Sequence, residues 1–183
     1  MTIVLLLALA VLVLAVIGVY NSLVRLRVQA DSAWADIDVQ LKRRYDLVPN
    51  VVETVKGYAG HERQALEAVV NARARAVAVQ GAGPAERGAA EGALTAALRQ
   101  LFALAEAYPQ LRAVESFTGL QQTLGQIEEA IQNARRYYNA VVRDLNTRIH
   151  QFPSNLVAGL FGFRPREFFE IPDAERQAPR VSF

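Results

Sequence analysis

His61 and Glu62 open the pattern of a zinc protease, in which a second histidine four residues after the first turns both imidazoles toward one metal. Position 65 is alanine, so the pair reads as polar residues near a helix start. His150, the second of two histidines, falls at the end of a predicted helix, where it can interact with the helix dipole. Asp31, Asp38, Glu53 and Glu62 lie near an apolar stripe. A dinuclear bundle site would need a histidine three residues after a glutamate, and neither histidine has one. The chain contains no cysteine, which removes disulfides, thiolate metal ligands and a cysteine nucleophile. Gly81-Ala82-Gly83 has no following Gly-Lys-Ser/Thr and no preceding strand pattern, so it is not read as a phosphate loop. The expectation is a chain with no catalytic group, no metal and no cofactor.

Charge points the same way. Twenty Lys and Arg stand against 18 Asp and Glu, a formal net charge of +2. So even a balance gives no footprint for nucleic acid. Lys42-Arg43-Arg44 is the densest basic run. On one helix, Lys42 stands roughly 30 Å beyond Tyr20 at 1.5 Å per residue, too far for lipid headgroups to be felt through the screening of salt. Pairing with acidic side chains is the expected role. Glu128-Glu129 and Arg135-Arg136 read as a solvated helix face.

These residues need elements to carry them. From Ile3 to Tyr20 the chain is apolar or small and carries no charge, the lower edge of what spans a bilayer as a helix. A cleaved signal peptide would need a basic start, a shorter apolar core and a small-x-small cleavage site. A buried core helix is the other competitor, but a run apolar on every side is hard to bury in a small domain. The expectation is a transmembrane anchor over residues 1–24. Arg25 and Arg27 follow the run and no Lys or Arg precedes it, so the positive-inside rule places the N-terminus outside and the C-terminal domain in the cytoplasm. The alanines Ala8, Ala10 and Ala15 are each followed four residues later by a large residue and offer no small-xxx-small seam. Self-association is therefore expected of the soluble part.

Beyond the anchor the apolar residues keep helical spacing. Ala30, Ala33, Trp34, Ile37, Leu41, Tyr45, Val48, Val52, Val55 and Ala59 form one stripe, in phase across Pro49, which predicts a kink and not an end. Gly57 and Gly60 mark the expected stop. A second helix is predicted over 61–80, with Arg73 on its packing face. A third is predicted over 85–107, and a fourth over 116–151. The fold class is all-α: an N-terminal transmembrane helix continuing into an antiparallel four-helix bundle of long helices over 25–153. An aromatic-rich tail over 154–183 carries Phe161, Phe163, Phe168 and Phe169. It is expected to pack on the bundle or on a neighbouring subunit. The alternative is that residues 155–163 dip into the membrane interface beside Arg164 and Arg166.

Several blocks are more specific than periodicity. They are Ala33-Trp34; Ile37-Asp38-Val39-Gln40-Leu41-Lys42-Arg43-Arg44; Asp46-Leu47-Val48-Pro49-Asn50; and Val55-Lys56-Gly57-Tyr58-Ala59 with His61-Glu62. Ala105 to Pro109, Phe117 to Gln121, Ala134 to Asn139 and Phe152 to Asn155 follow. Together they resemble the LemA family over essentially the whole chain. The departure is the Ala- and Gly-rich segment Gly81–Gly92, read as a variable loop. The resemblance implies a bacterial single-pass membrane protein with an extracytoplasmic N-terminus and a helical cytoplasmic domain. It implies no reaction.

Two functional readings follow. In the first, the protein is a self-assembling scaffold at the bacterial inner membrane, a homo-oligomer held to lipid through its N-terminal helix. Arg135, Arg136, Tyr137, Tyr138, Phe161, Phe163, Phe168 and Phe169 are the interface candidates, because arginine and aromatic side chains suit interfaces. In the second, it is a monomeric adaptor that presents the bundle to another membrane protein, such as a protease in envelope stress.

Overall fold

A computed structural model describes residues 1–171; the rest of the predicted tail, 172–183, lies outside the described residues. The order is α1 (Thr2–Ala59), α2 (Arg63–Ala78), α3 (Pro84–Ala105), the single turn α4 (Pro109–Arg112), α5 (Glu115–His150) and α6 (Ser154–Leu160). No strand occurs among the described residues.

Local chemistry sets the breaks. α1 stops at Ala59, and the next position suits glycine, since a Cβ on Gly60 would stand 2.8 Å from the Lys56 carbonyl oxygen. α3 begins with Pro84 after the extended Gly83, a position where the missing N–H costs nothing. The helix therefore starts inside the segment read as a variable loop, and most of that segment is helical. At the end of α5 the Ser154 hydroxyl approaches the carbonyls of Arg148 at 2.6 Å and Gln151 at 2.8 Å, serving acceptors that a helix end leaves open. α6 closes on Gly162 at φ +70, with Phe163 N–H bonded to the Ala158 carbonyl at 2.9 Å. This is the glycine-terminated stop that side chains disfavour.

Pro49 lies inside α1. Proline has no N–H, so the carbonyl four residues earlier, that of Tyr45, has no helical donor. Arg73 of α2 supplies one, its Nε donating at 2.7 Å. Just past the proline Val51 is fully buried where Val52 is expected, and the stripe returns to its expected phase at Val55 and Ala59.

The described chain divides into two compact units. The first comprises Met1–Asp38 and Asn133–Phe168. Its core joins Leu23 of α1 to Leu145 and Ile149 of α5 and Val157 and Ala158 of α6, with Val16, Val19, Leu26 and Phe163 packed against them. A leucine, isoleucine, valine or phenylalanine side chain contributes about 1.5–3 kcal/mol when fully buried. Further along, the Trp34 and Tyr138 rings lie 5.1 Å apart. The segment after α6 is pinned to α5: the Tyr138 hydroxyl donates to the Glu167 carbonyl at 3.0 Å, and Asn146 exchanges two hydrogen bonds with the Arg166 backbone at 2.8 and 2.9 Å. Arg166 also pairs with Asp31 of α1 at 2.6 Å.

The second unit comprises Val39–Gln132 with Phe169–Ile171. Its core draws Leu41, Val48, Val51 and Val55 from α1, Leu66 and Val69 from α2, Leu94, Leu98 and Leu101 from α3, and Phe117, Leu124, Ile127 and Ile131 from α5. The Tyr108 hydroxyl donates to Glu62 at 3.1 Å and lies 3.2 Å from His61 Nε2. It ties the α1–α2 turn to the turn that follows α3. Phe169 is fully buried in this unit, and the backbone beside it runs so close to α3 that a Cβ on Gly88 would meet the Glu170 carbonyl oxygen at 2.0 Å.

Candidate functional site

The main concentration of buried polar chemistry lies in the second unit and is built on three helices. Arg44 of α1 is fully buried. Its Nη2 donates to Glu91 Oε2 of α3. Its Nη1 donates to Thr95 Oγ1 at 2.9 Å and to Glu128 Oε1 of α5 at 2.6 Å. The Tyr45 hydroxyl donates to the other oxygen of Glu91, so both oxygens of this fully buried carboxylate are engaged. Arg87 lies one turn earlier on α3 and is buried as well.

Desolvation works against the Arg44 charge, but Glu128 and Glu91 outweigh it and raise its pKa. Burial first, then the bond to Glu91, push the Tyr45 phenol well above its ordinary value. A guanidinium does not release its proton in proteins, so the cluster fixes charge in place. A buried pair of this kind gives little net stability against an apolar substitute, yet losing one partner is costly.

The network reaches water at one place. Glu128 keeps 28% side-chain exposure and, with Thr95, lines a groove of about 450 Å³ between α3 and α5. Leu98, Phe102 and Leu124 form its apolar wall, with Glu106 and Gln121 among its polar lining.

The expected pairing of the basic run holds for Arg44; Lys42 and Arg43 are exposed, and Arg43 bonds Gln40 at 3.2 Å. Glu128 corrects the reading of Glu128-Glu129 as a solvated face, since it pairs with a buried arginine. Glu91 was missed. It sits among alanines and glycines, and its only signal was a lone acid on the packing side of a helix. Among the described residues, no three or more His, Asp or Glu side chains are placed to hold a metal ion.

The interface candidates fall in different surroundings. In the first unit, Tyr138 is buried between α1 and the segment after α6, and Arg135 is half-buried. Arg136 is exposed and bonded to Asn133 one turn back. Tyr137, Phe161 and Phe168 are 54%, 51% and 41% exposed. Phe163 is half-buried under the Arg27 guanidinium, 5.4 Å from the ring centroid. Phe169 is buried in the second unit. Only the exposed members keep surface available for a partner.

A family model described as LemA family matches residues 33–183. The chain belongs to the LemA family. The match takes in Arg44, Tyr45, Glu91 and Glu128, so the whole ion network lies in the family region. The chain is also similar to magnetosome protein MamQ 2 of Paramagnetospirillum magneticum, 24% identical over 175 residues, covering 82% of this chain and 64% of the relative. MamQ of Magnetospirillum gryphiswaldense is 24% identical over 174 residues, with the same coverage. Protein LemA of Metamycoplasma hominis is 24% identical over 162 residues, covering 87% of this chain and 73% of the relative. This LemA-family chain thus spans 64% of the length of the magnetosome relatives it matches.

Proposed function

We propose that this LemA-family protein is a non-enzymatic scaffold anchored in the bacterial inner membrane, and that it assembles with copies of itself. One observation carries the reading. α1 is a single helix of 58 residues, apolar and unburied over an 18-residue window at its start and part of the family region from residue 33 onward. A helix that leaves such a window uncovered needs a non-aqueous neighbour, and length and composition suit a bilayer. Arg25 and Arg27, both exposed just past the run, support a cytoplasmic domain by the positive-inside rule. In this reading the helices beyond the anchor act as an antiparallel four-helix bundle. The exposed Tyr137 and Phe168 contribute to contacts between copies.

The α3–α5 groove favours a second reading, an adaptor whose groove receives another membrane protein, for instance a protease. Its wall of Leu98, Phe102 and Leu124 suits an apolar side chain, and Glu106 and Glu128 would prefer a basic one.

Light scattering on the full-length protein in mild detergent separates the two. A large, defined homo-oligomer, reduced by Tyr137→Ala together with Phe168→Ala, is the expected result. A monomer in detergent and in native-lipid discs alike sinks self-assembly and leaves the adaptor. A truncation for comparison should stop before Val16, because Val16, Val19 and Leu23 belong to a packed core.

A further inference from the structure

The end of the apolar run and the short helix α6 are packed on each other within the first unit. Val16 and Val19, inside the run, lie against the cluster that contains Val157 and Ala158 of α6. The Tyr20 ring centroid is 4.8 Å from that of Phe161 and 5.8 Å from that of Phe163. The run from Ile3 to Tyr20 is about 27 Å long as a helix, already slightly short of the roughly 30 Å of a bilayer's hydrocarbon. No length is spare. Inserting the run brings its last turn, and what is packed there, to the hydrocarbon boundary.

What is packed there has two faces. Ser154, Val157 and Ala158 of α6 point inward and are buried. Leu156 and Leu160, one turn apart on the opposite side, are 64% and 78% exposed. Phe152 before the helix and Phe161 after it are 75% and 51% exposed. Three exposed cations belong to the same stretches: Arg164 follows Phe163 in sequence, Arg27 lies over the Phe163 ring, and Arg25 precedes Arg27 on α1. Outward apolar side chains bordered by arginines and aromatics are the composition of segments that lie in the plane of a membrane surface.

We infer that α6 is a second lipid contact: the ridge of Phe152, Leu156, Leu160 and Phe161 lies in the interface of the leaflet in which the anchor ends, with the arginines at the level of acidic headgroups. This rests on the anchor reading proposed above. The ring contacts to Tyr20 choose lipid over a second protein copy as the occupant, because they hold the ridge at the depth where the bilayer surface must be. The same contacts fix how deep the anchor sits, since sinking it further would drag α6 and the arginines into hydrocarbon.

The absence of native cysteine makes the test direct. Nitroxide labels are placed singly on L160C, L12C and V70C of the full-length protein in vesicles of phosphatidylcholine and phosphatidylglycerol. Relaxation by oxygen, which concentrates in hydrocarbon, is compared with relaxation by a neutral nickel chelate, which stays in water. The expected result is oxygen above nickel at positions 160 and 12, and nickel above oxygen at 70. Position 160 behaving like position 70 overturns the inference while leaving the anchor standing. Low access to both reagents at 160 means cover by protein, and also overturns it. If position 12 itself is nickel-accessible, the anchor reading has failed first. Light scattering then remains the test of assembly.

Discussion

Arg73 donates from Nε to the carbonyl oxygen of Tyr45 at 2.7 Å, the acceptor that Pro49 deprives of its partner inside α1. A proline in mid-helix normally costs about 3 kcal/mol or more, partly through that orphaned carbonyl. Here a side chain from the next helix fills the gap. The bond also fixes the packing of α2 on α1 and explains why an arginine sits on the packing face of α2.

The two positions should therefore be coupled. Arg73→Ala is expected to destabilise the protein by about 1–3 kcal/mol, the cost of a buried unsatisfied acceptor. In a Pro49→Ala background, where residue 49 again supplies an N–H, most of that loss should vanish. Denaturant unfolding of the four proteins in detergent gives the coupling energy, and strict additivity would show that the bond carries nothing.

Removing one member of the ion network should cost more than weakening its exposed edge. Glu91→Gln or Arg44→Met is expected to lose about 3–5 kcal/mol, the cost of leaving a buried charge unpaired. Glu128→Gln should lose less, because its side chain is 28% exposed and water can replace part of the bond. Equal losses at positions 91 and 128, read from unfolding midpoints, would contradict this ranking.

Tyr45 predicts an alkaline weakness. Its phenol titrates above the ordinary value of 10.0 in the folded protein. Below pH 10 the phenol is neutral in both states and its contribution is intact. Above pH 10 the unfolded chain ionises while the folded one stays protonated, so stability falls as pH rises. Tyr138 is shifted in the same direction, first by burial. Stability measured from pH 8 to pH 11 should fall less steeply in Tyr45→Phe than in the parent. Identical slopes would remove Tyr45 from the account.

Gly88 meets the chain after Phe169 so closely that no side chain fits. Gly88→Ala places a carbon 2.0 Å from the Glu170 carbonyl oxygen, and backbone must move. Hydrogen exchange at Phe169 to Ile171 is expected to accelerate strongly while α2 is unchanged. Unaltered exchange would mean that this approach does not hold the segment in solution.

Helix type and most of the core were legible because apolar spacing alone sets them. Ile37, Leu41, Tyr45 and Val48 keep steps of three and four, Val55 follows two turns on in the same register, and all are buried. That Val51 and not Val52 fills the place between Val48 and Val55 was not legible, since either keeps steps of three and four. The ion network was half legible. Arg44 belonged to a run expected to pair with acids, but its partners lie 47 and 84 residues away. Glu91 was hidden in a segment that looked like a loop, and Glu128 beside Glu129 looked like surface. Which of Phe168 and Phe169 turns inward was not legible, because both are the same residue type and adjacent in sequence.

The core around Leu23 also has an order in time. Its partners Leu145, Ile149, Val157 and Ala158 are synthesised more than a hundred residues later, on the order of ten seconds at ordinary elongation rates. During that interval the start of α1 has no protein to lie against, and the bilayer is the apolar neighbour already present. In the anchor reading proposed above, insertion then precedes folding. On that reading the last-made segments, α6 and the stretch pinned by Tyr138, close the unit around a helix that the membrane already holds.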